Sequence, residues 1–361
     1  MRRLIAGMAV SLTLTALSIP SGRPLRSSTL PVVALPSGAG QVLLRDLESP
    51  DAAILGGRLY VWQQTGASGP PDHTALMRVS PGSGRILAIR QIGRLTPGTG
   101  PGTPLALAGG WLRAAVDRTT GGGPGGWLLR IQPRTLTVRS RTSLPELGFS
   151  PTTALASGWI WVGGGGRLYR VSPKTGRVSG SVKLGGATNS SFVSARRDRE
   201  LLVTEAENGW GSIELRSATD GALVRSTTTS SLGVFAPRVS QLVDGAVWLS
   251  GATGMAGYVE RLDATTLDPT PVNLPYPPRD ATNGISAQVF AGVLYIQEPG
   301  GGRDFNYCGK QATGRFLAPS RLPDSALLVT ANSTDLFYLR GDSSSRREEL
   351  VRAPVNELCR G

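Results

Sequence analysis

Short apolar runs alternate with polar positions along most of the chain, and Gly, Pro, Ser or Thr breaks each run after a few residues. The clearest stretch is 155–184, LASGWIWVGGGGRLYRVSPKTGRVSGSVKL. An apolar strand turns at Ser157-Gly158 and returns through Trp159-Ile160-Trp161-Val162. A glycine loop leads to Leu168-Tyr169-Arg170-Val171, then to the turn Pro173-Lys174-Thr175-Gly176. In the last run Val178, Val182 and Leu184 alternate with polar residues. This period-two pattern, cut by turn residues, predicts four short strands joined by tight turns.

The same grammar recurs seven times. The anchors of the first turn are Gly57, Gly110, Gly158, Arg199, Gly245, Gly292 and Thr334, spaced by 53, 48, 41, 46, 47 and 42 residues. Four strands every forty-odd residues is the period of a propeller blade. No amphipathic helical stretch interrupts it. The pattern predicts an all-β fold, a seven-bladed β-propeller of four-stranded antiparallel blades over residues 41–361. The seventh unit lacks an outer strand before the chain ends, and Gln41 to Leu47 is a spare strand at the other end. We expect this N-terminal strand to close the last blade and so cover an edge.

Composition agrees with a turn-rich β-protein: 48 Gly and 26 Pro, with 17% charged residues. One His and two Cys exclude multi-His metal centres and Cys-rich zinc modules. The net charge is +13, and of the 38 basic residues only Lys174, Lys183 and Lys310 are Lys. This Arg excess reads as a coding bias. The basic residues are scattered along the sequence, not gathered on one element with aromatics, so nucleic acid is not an expected partner. An anionic cell-wall polymer or an envelope protein is.

Arg2-Arg3, the apolar run Leu4 to Ile19 and the small residues Ala16 and Ser18 read as a signal peptide over 1–20. The alternative is an uncleaved N-terminal anchor, the only membrane attachment expected. Residues 21–40 read as a linker. The expected location is therefore secreted or extracytoplasmic at the cell surface. In an exported chain two cysteines fit a disulfide, Cys308 to Cys359; free thiols or a reactive pair are the alternative.

The blade motif, G-x-[LIV]-W-V followed by R-[LIV]-[DS]-P-x-T-G-x-V, resembles that of bacterial secreted propellers of the YVTN, virginiamycin-B-lyase-like and quinoprotein-like group. The resemblance spans roughly 41–361 and implies the architecture. Lyases of that group use a catalytic His with a metal-bound Glu, and no His of this chain maps to the matching blade. Quinoprotein blades carry a Trp after the Thr-Gly turn, where this chain has Arg177-Val178-Ser179.

Any function is expected on the face bearing the loops between second and third strands and the blade linkers, since variable loops on a rigid scaffold carry recognition. The expected loops there include 63–74, 117–126, 205–211, 251–257 and 298–306. The binding-face candidates are Asp72, His73, Asp117, Arg118, Glu205, Glu207, Asn208, Glu298, Arg303, Asp304 and Asn306. No catalytic constellation, metal ligand set or cofactor motif emerges. Gly121–Gly126 and Gly163–Gly166 link strands instead of opening a helix, so they do not cradle phosphate. Arg340-Gly341-Asp342 spells an adhesion tripeptide, read as chance in an expected hairpin loop. The reading is a non-catalytic binding or interaction module. Its rivals are a lyase or hydrolase using loop carboxylates, and an envelope scaffold.

Overall fold

The computed structural model describes residues 40–48, 50–65, 73–93, 96–97, 104–117, 125–148, 151–184, 190–196, 199–206, 211–232, 239–243, 245–253, 256–272, 286–290, 292–297, 307–311, 315–319, 326–342 and 347–359. The expected signal peptide and all but the last residue of the expected linker lie outside them.

Seven antiparallel sheets form, six of them from strands consecutive in the chain. Blade 3 is typical: Thr152–Ala156, Trp159–Gly164, Arg167–Val171 and Val178–Lys183, in that spatial order. Blade 1 runs from Asp51–Leu55 to Ile86–Gly93 and blade 2 from Leu105–Ala108 to Val138–Leu144. Blade 4 runs from Ser190–Arg196 to Leu223–Thr228, blade 5 from Val239–Val243 to Pro269–Thr270, and blade 6 from Ser286–Phe290 to Phe316–Pro319. In blade 7, Gln41–Glu48 pairs with Arg347–Pro354, outside Asp335–Asp342 and Leu327–Ala331. Thr96–Pro97 adds a short pairing to blade 2 against Val116 and Asp117.

The first strands of successive blades lie side by side around the ring, and Asp51–Leu55 meets Leu327–Ala331 to close it. The core is accordingly divided. Each of seven apolar clusters fills the space between two neighbouring blades. Between blades 3 and 4, for example, Trp161, Leu168 and Leu184 pack on Val193, Leu201 and Val203. Middle strands are covered on both faces, so Ile213, Glu214, Leu215 and Arg216 of one strand are all buried. Glu214 and Arg216 form an ion pair at 2.6 Å with both side chains 6% exposed, and Arg216 also donates to the Gly221 carbonyl at 2.8 Å. That second bond satisfies part of a guanidinium that burial strips of water.

The anchors behave as turn residues. Gly57, Gly110, Gly158, Gly245 and Gly292 all have φ between 69° and 80°, a left-handed conformation that a side chain disfavours. Their neighbour Ser157 shares it at φ 48°.

Polar contacts then fasten blade to blade. The innermost strand of a sheet has one unpaired backbone edge, and several of its N–H groups donate to a side chain of the preceding blade. Val193 N donates to Thr152 Oγ1 at 2.8 Å, Ala287 N to Ser250 Oγ at 2.8 Å, and Ile54 N to Thr330 Oγ1 at 3.2 Å. A second contact runs from strand two to the next blade's outer turn. Trp161 Nε1 donates to the Ala218 carbonyl at 3.1 Å, and Arg113, in the corresponding position of blade 2, donates to the Pro173 carbonyl at 2.6 Å.

Cys308 in blade 6 is joined to Cys359, which follows the short helix Val355–Leu358 after blade 7, with Cα atoms 5.8 Å apart. The bridge closes a loop of 51 residues. Replacing both cysteines with Ser is expected to destabilise the chain by about 4 kcal/mol on the loop-entropy account, read from urea unfolding of the oxidised protein and the variant. Thr152→Val should cost about 1–3 kcal/mol, because it leaves the Val193 N–H buried without an acceptor. A denaturation midpoint equal to wild type would show that this bond does not hold blades 3 and 4 together.

Candidate functional site

The first-to-second and third-to-fourth strand turns of every blade lie at one end of the ring. Second-to-third connections and blade linkers lie at the other. The second-to-third connections differ sharply in length: 66–72 in blade 1, 118–125 in blade 2 and 298–306 in blade 6, but only 165–166 in blade 3 and 254–255 in blade 5. Residues 251–257, expected as a loop, are strand except for 254–255, because Ala246–Thr253 and Ala256–Asp263 extend toward each other. In blade 3 the turn is tight because it packs under the incoming linker. A Cβ on Gly165 would sit 2.2 Å from the Glu146 carbonyl oxygen.

The candidates fall as follows. His73 opens the third strand of blade 1, opposite Thr65. Asp117 ends the second strand of blade 2, pairs with Gly126 and is buried, 6% exposed. Glu205 lies in Glu200–Ala206 of blade 4, opposite Ser191. These three strand ends share the long-connection end of the ring and belong to different blades. Asp72, Arg118, Glu207, Asn208, Glu298, Arg303, Asp304 and Asn306 lie outside the described residues. Arg340-Gly341-Asp342 is not a hairpin loop. It lies within Asp335–Asp342, and Arg340 donates to Glu349 at 2.5 Å.

Asp51, absent from those candidates, holds the most perturbed carboxyl of the described residues. It is the first residue of the innermost strand of blade 1, opposite Trp62 on the long-connection end. Burial pushes its pKa up to about 7 against the usual carboxylate range. The Ala52 N–H donated to Oδ1 at 2.7 Å opposes this shift, and the charge of Glu348 adds to it. Burial also raises the Glu348 carboxyl. Trp62 is 1% exposed, and its Nε1 has no hydrogen-bond partner among the described residues. A signal for Asp51 was present in the chain's self-similarity. Ser49-Pro50-Asp51-Ala52-Ala53 repeats as Ser150-Pro151-Thr152-Thr153-Ala154, so the acid replaces the Thr that binds the next blade in blade 3.

Among the described residues no group of three or more His, Cys, Asp or Glu is placed to hold a metal ion. The arrangement offers a carboxyl whose proton affinity burial raises, on a residue paired across the strands with Trp62.

Comparison with protein-family models finds no match, and comparison with curated proteins finds none. Solved structures match in fold. The Neurospora crassa Pan2 WD40 domain aligns over 86% of this chain and 90% of its own, with TM-score 0.53 and 9% identity. The Dos1 propeller aligns over 86% of this chain and 77% of its own, with TM-score 0.50 and 11% identity. The chain is a seven-bladed β-propeller. At such identities the likeness concerns the propeller fold alone.

The Asp51 carboxyl binds its proton more tightly folded than unfolded. Stability is therefore expected to fall as pH rises from about 4 to about 7 and to stay low above, by at most about 4 kcal/mol. Asp51→Asn should flatten that fall, raising Tm relative to wild type at pH 8 and not at pH 4. Parallel pH–Tm profiles for the two proteins would contradict the assignment.

Proposed function

We propose that this propeller is an exported, non-catalytic binding module whose ligand is recognised at the long-connection end. The observation that carries the reading is where those connections fall. The longest come from blades 6, 1 and 2, on either side of the seam between blades 7 and 1, and Asp51 and Glu348 stand at that seam. A rigid ring with tight turns on one end and long, unlike segments at the other suits recognition by loop side chains. His73, Asp117 and Glu205 stand at the bases of three such connections, and the remaining candidates fall within or beside them.

Export is supported by the leader-like residues 1–20 and by the disulfide, which is consistent with an extracytoplasmic location. The linker 21–40 would join leader and ring. Kinship with the YVTN and virginiamycin-B-lyase-like propellers is supported by the repeated Gly, Trp and Thr-Gly positions of the blades. A surface scaffold remains the alternative role for a ring of this kind.

The test replaces 66–72, 118–124 and 298–306 by short Gly-Ser turns. Wild type and variant are then screened by thermal shift against phosphate-free wall polymers, neutral glycans, divalent metals and redox cofactors. A ligand at 100 times its Kd should stabilise wild type by about 2.7 kcal/mol. The shift is expected to vanish in the variant. A shift that survives loop replacement would move the site elsewhere, and one confined to a metal or redox cofactor would favour catalysis.

A further inference from the structure

Basic residues that are scattered in sequence are collected by the fold onto one arc of the ring. The fourth, outermost strands of blades 1 to 4 are Ile86–Gly93, Val138–Leu144, Val178–Lys183 and Leu223–Thr228. They contain Arg90, Arg139, Arg141, Lys183 and Arg225 and no acid, and all five cations are exposed. The adjoining third-to-fourth turns of blades 1 to 3 add Arg85, Arg134, Lys174 and Arg177, again exposed and without an acid between the strands they join. None of these nine residues forms an ion pair among the described residues. Arg141 lies over the Trp127 ring, 5.7 Å from its centroid, which limits its wandering.

The arc has ends. At blade 4 the equivalent turn carries exposed Asp220, and at blade 5 it carries Asp263 and exposed Asp268. On the other side, the outer strand of blade 7 mixes Arg45 with Asp46 and Glu48. One sign of charge thus runs over consecutive blades and stops. Apart from Lys183, which ends its strand opposite Arg167, these cations lie on the wall and the short-turn end, away from the long connections, so the surface is independent of the function proposed above.

We propose that the wall of blades 1 to 4 and the short-turn end of blades 1 to 3 form a docking track for a linear, base-free polyanion with phosphate groups along its backbone. Each blade contributes one or a few cations, so a compact anion meets only one blade's share. An extended chain laid along the arc meets all of them in turn. Arg predominates over Lys on the track, and its planar fork engages two oxygens of one phosphate. A uniform field without interleaved acids also draws a polymer in from solution and makes its binding sensitive to salt.

The experiment measures binding of long-chain inorganic polyphosphate to the oxidised full chain at low and moderate salt. It compares wild type with Arg85→Glu/Arg134→Glu/Lys174→Glu/Arg177→Glu and with the Gln version of the same four changes. Far-UV circular dichroism and Tm confirm folding, and Lys310→Glu, on blade 6, serves as control. Both quadruple variants should raise Kd at least tenfold and flatten its salt dependence, with the Glu version weaker than the Gln version and the control like wild type. Equal Kd for wild type and the Gln version would overturn the track. Tripolyphosphate binding as tightly as the long chain would overturn an extended ligand. Polyglutamate binding as tightly as polyphosphate would overturn the phosphate assignment, and single-stranded DNA binding more tightly would replace it with nucleic acid.

Discussion

An innermost strand in a ring of sheets has a neighbour on one side only, and its other edge faces the axis with backbone N–H groups lacking a strand partner. Left bare and shielded from bulk water, each such group would cost as much as a lost hydrogen bond. Here the preceding blade supplies the acceptor: Thr152 for Val193, Ser250 for Ala287 and Thr330 for Ile54. The bonds all point the same way round. Curvature follows from this constraint, since each blade must stand close enough, and at the right angle, for a side chain of modest reach to meet the next strand's edge.

Packing answers to the same geometry. With the core divided into seven wedges between blades, each wedge needs a large group where neighbouring second strands diverge. Trp161 and Trp248 fill that place in blades 3 and 5, and Tyr60 in blade 1. Blade 2 uses Arg113, whose pKa burial and the Arg130 charge lower to about 10. Arg113 keeps the role of Trp161 by offering an N–H to the same turn carbonyl of the following blade. A flat aromatic and a charged fork are exchangeable here because the position requires bulk; blades 2 and 3 also use its donor, whereas Tyr60 Oη and Trp248 Nε1 meet no partner among the described residues.

The blade period was legible because turns are written in residues with distinctive backbone freedom. Gly57, Gly110 and Gly158 mark left-handed turns whatever surrounds them. Strand alternation was legible only in part on the outer strands, where one side meets water: in Val178–Lys183 Val182 is half-buried, but Val178 is 39% exposed. It misled in the middle strands. Ile213 to Arg216 alternates in sequence, yet both faces are covered by other blades and every residue is buried. The site was less legible still. A carboxyl's proton affinity depends on what surrounds it, and beside Asp51 stands the charge of Glu348, which blade 7 brings from the far end of the chain. The charged arc was hidden for the same reason, since residues far apart in sequence become neighbours only after the ring closes.

The bond from Ile54 to Thr330 has one more implication. In an open stack of repeats the end units are special, and the number of units can grow or shrink as long as the caps remain. Here the first and last blades serve each other as the caps an open stack would need. Removing one repeat would demand that six wedges open to fill the full circle, and adding one would demand that all of them narrow. The repeat number is thus held by the angle at every interface at once, and evolution can alter loops and surface charge freely while the count of blades stays locked.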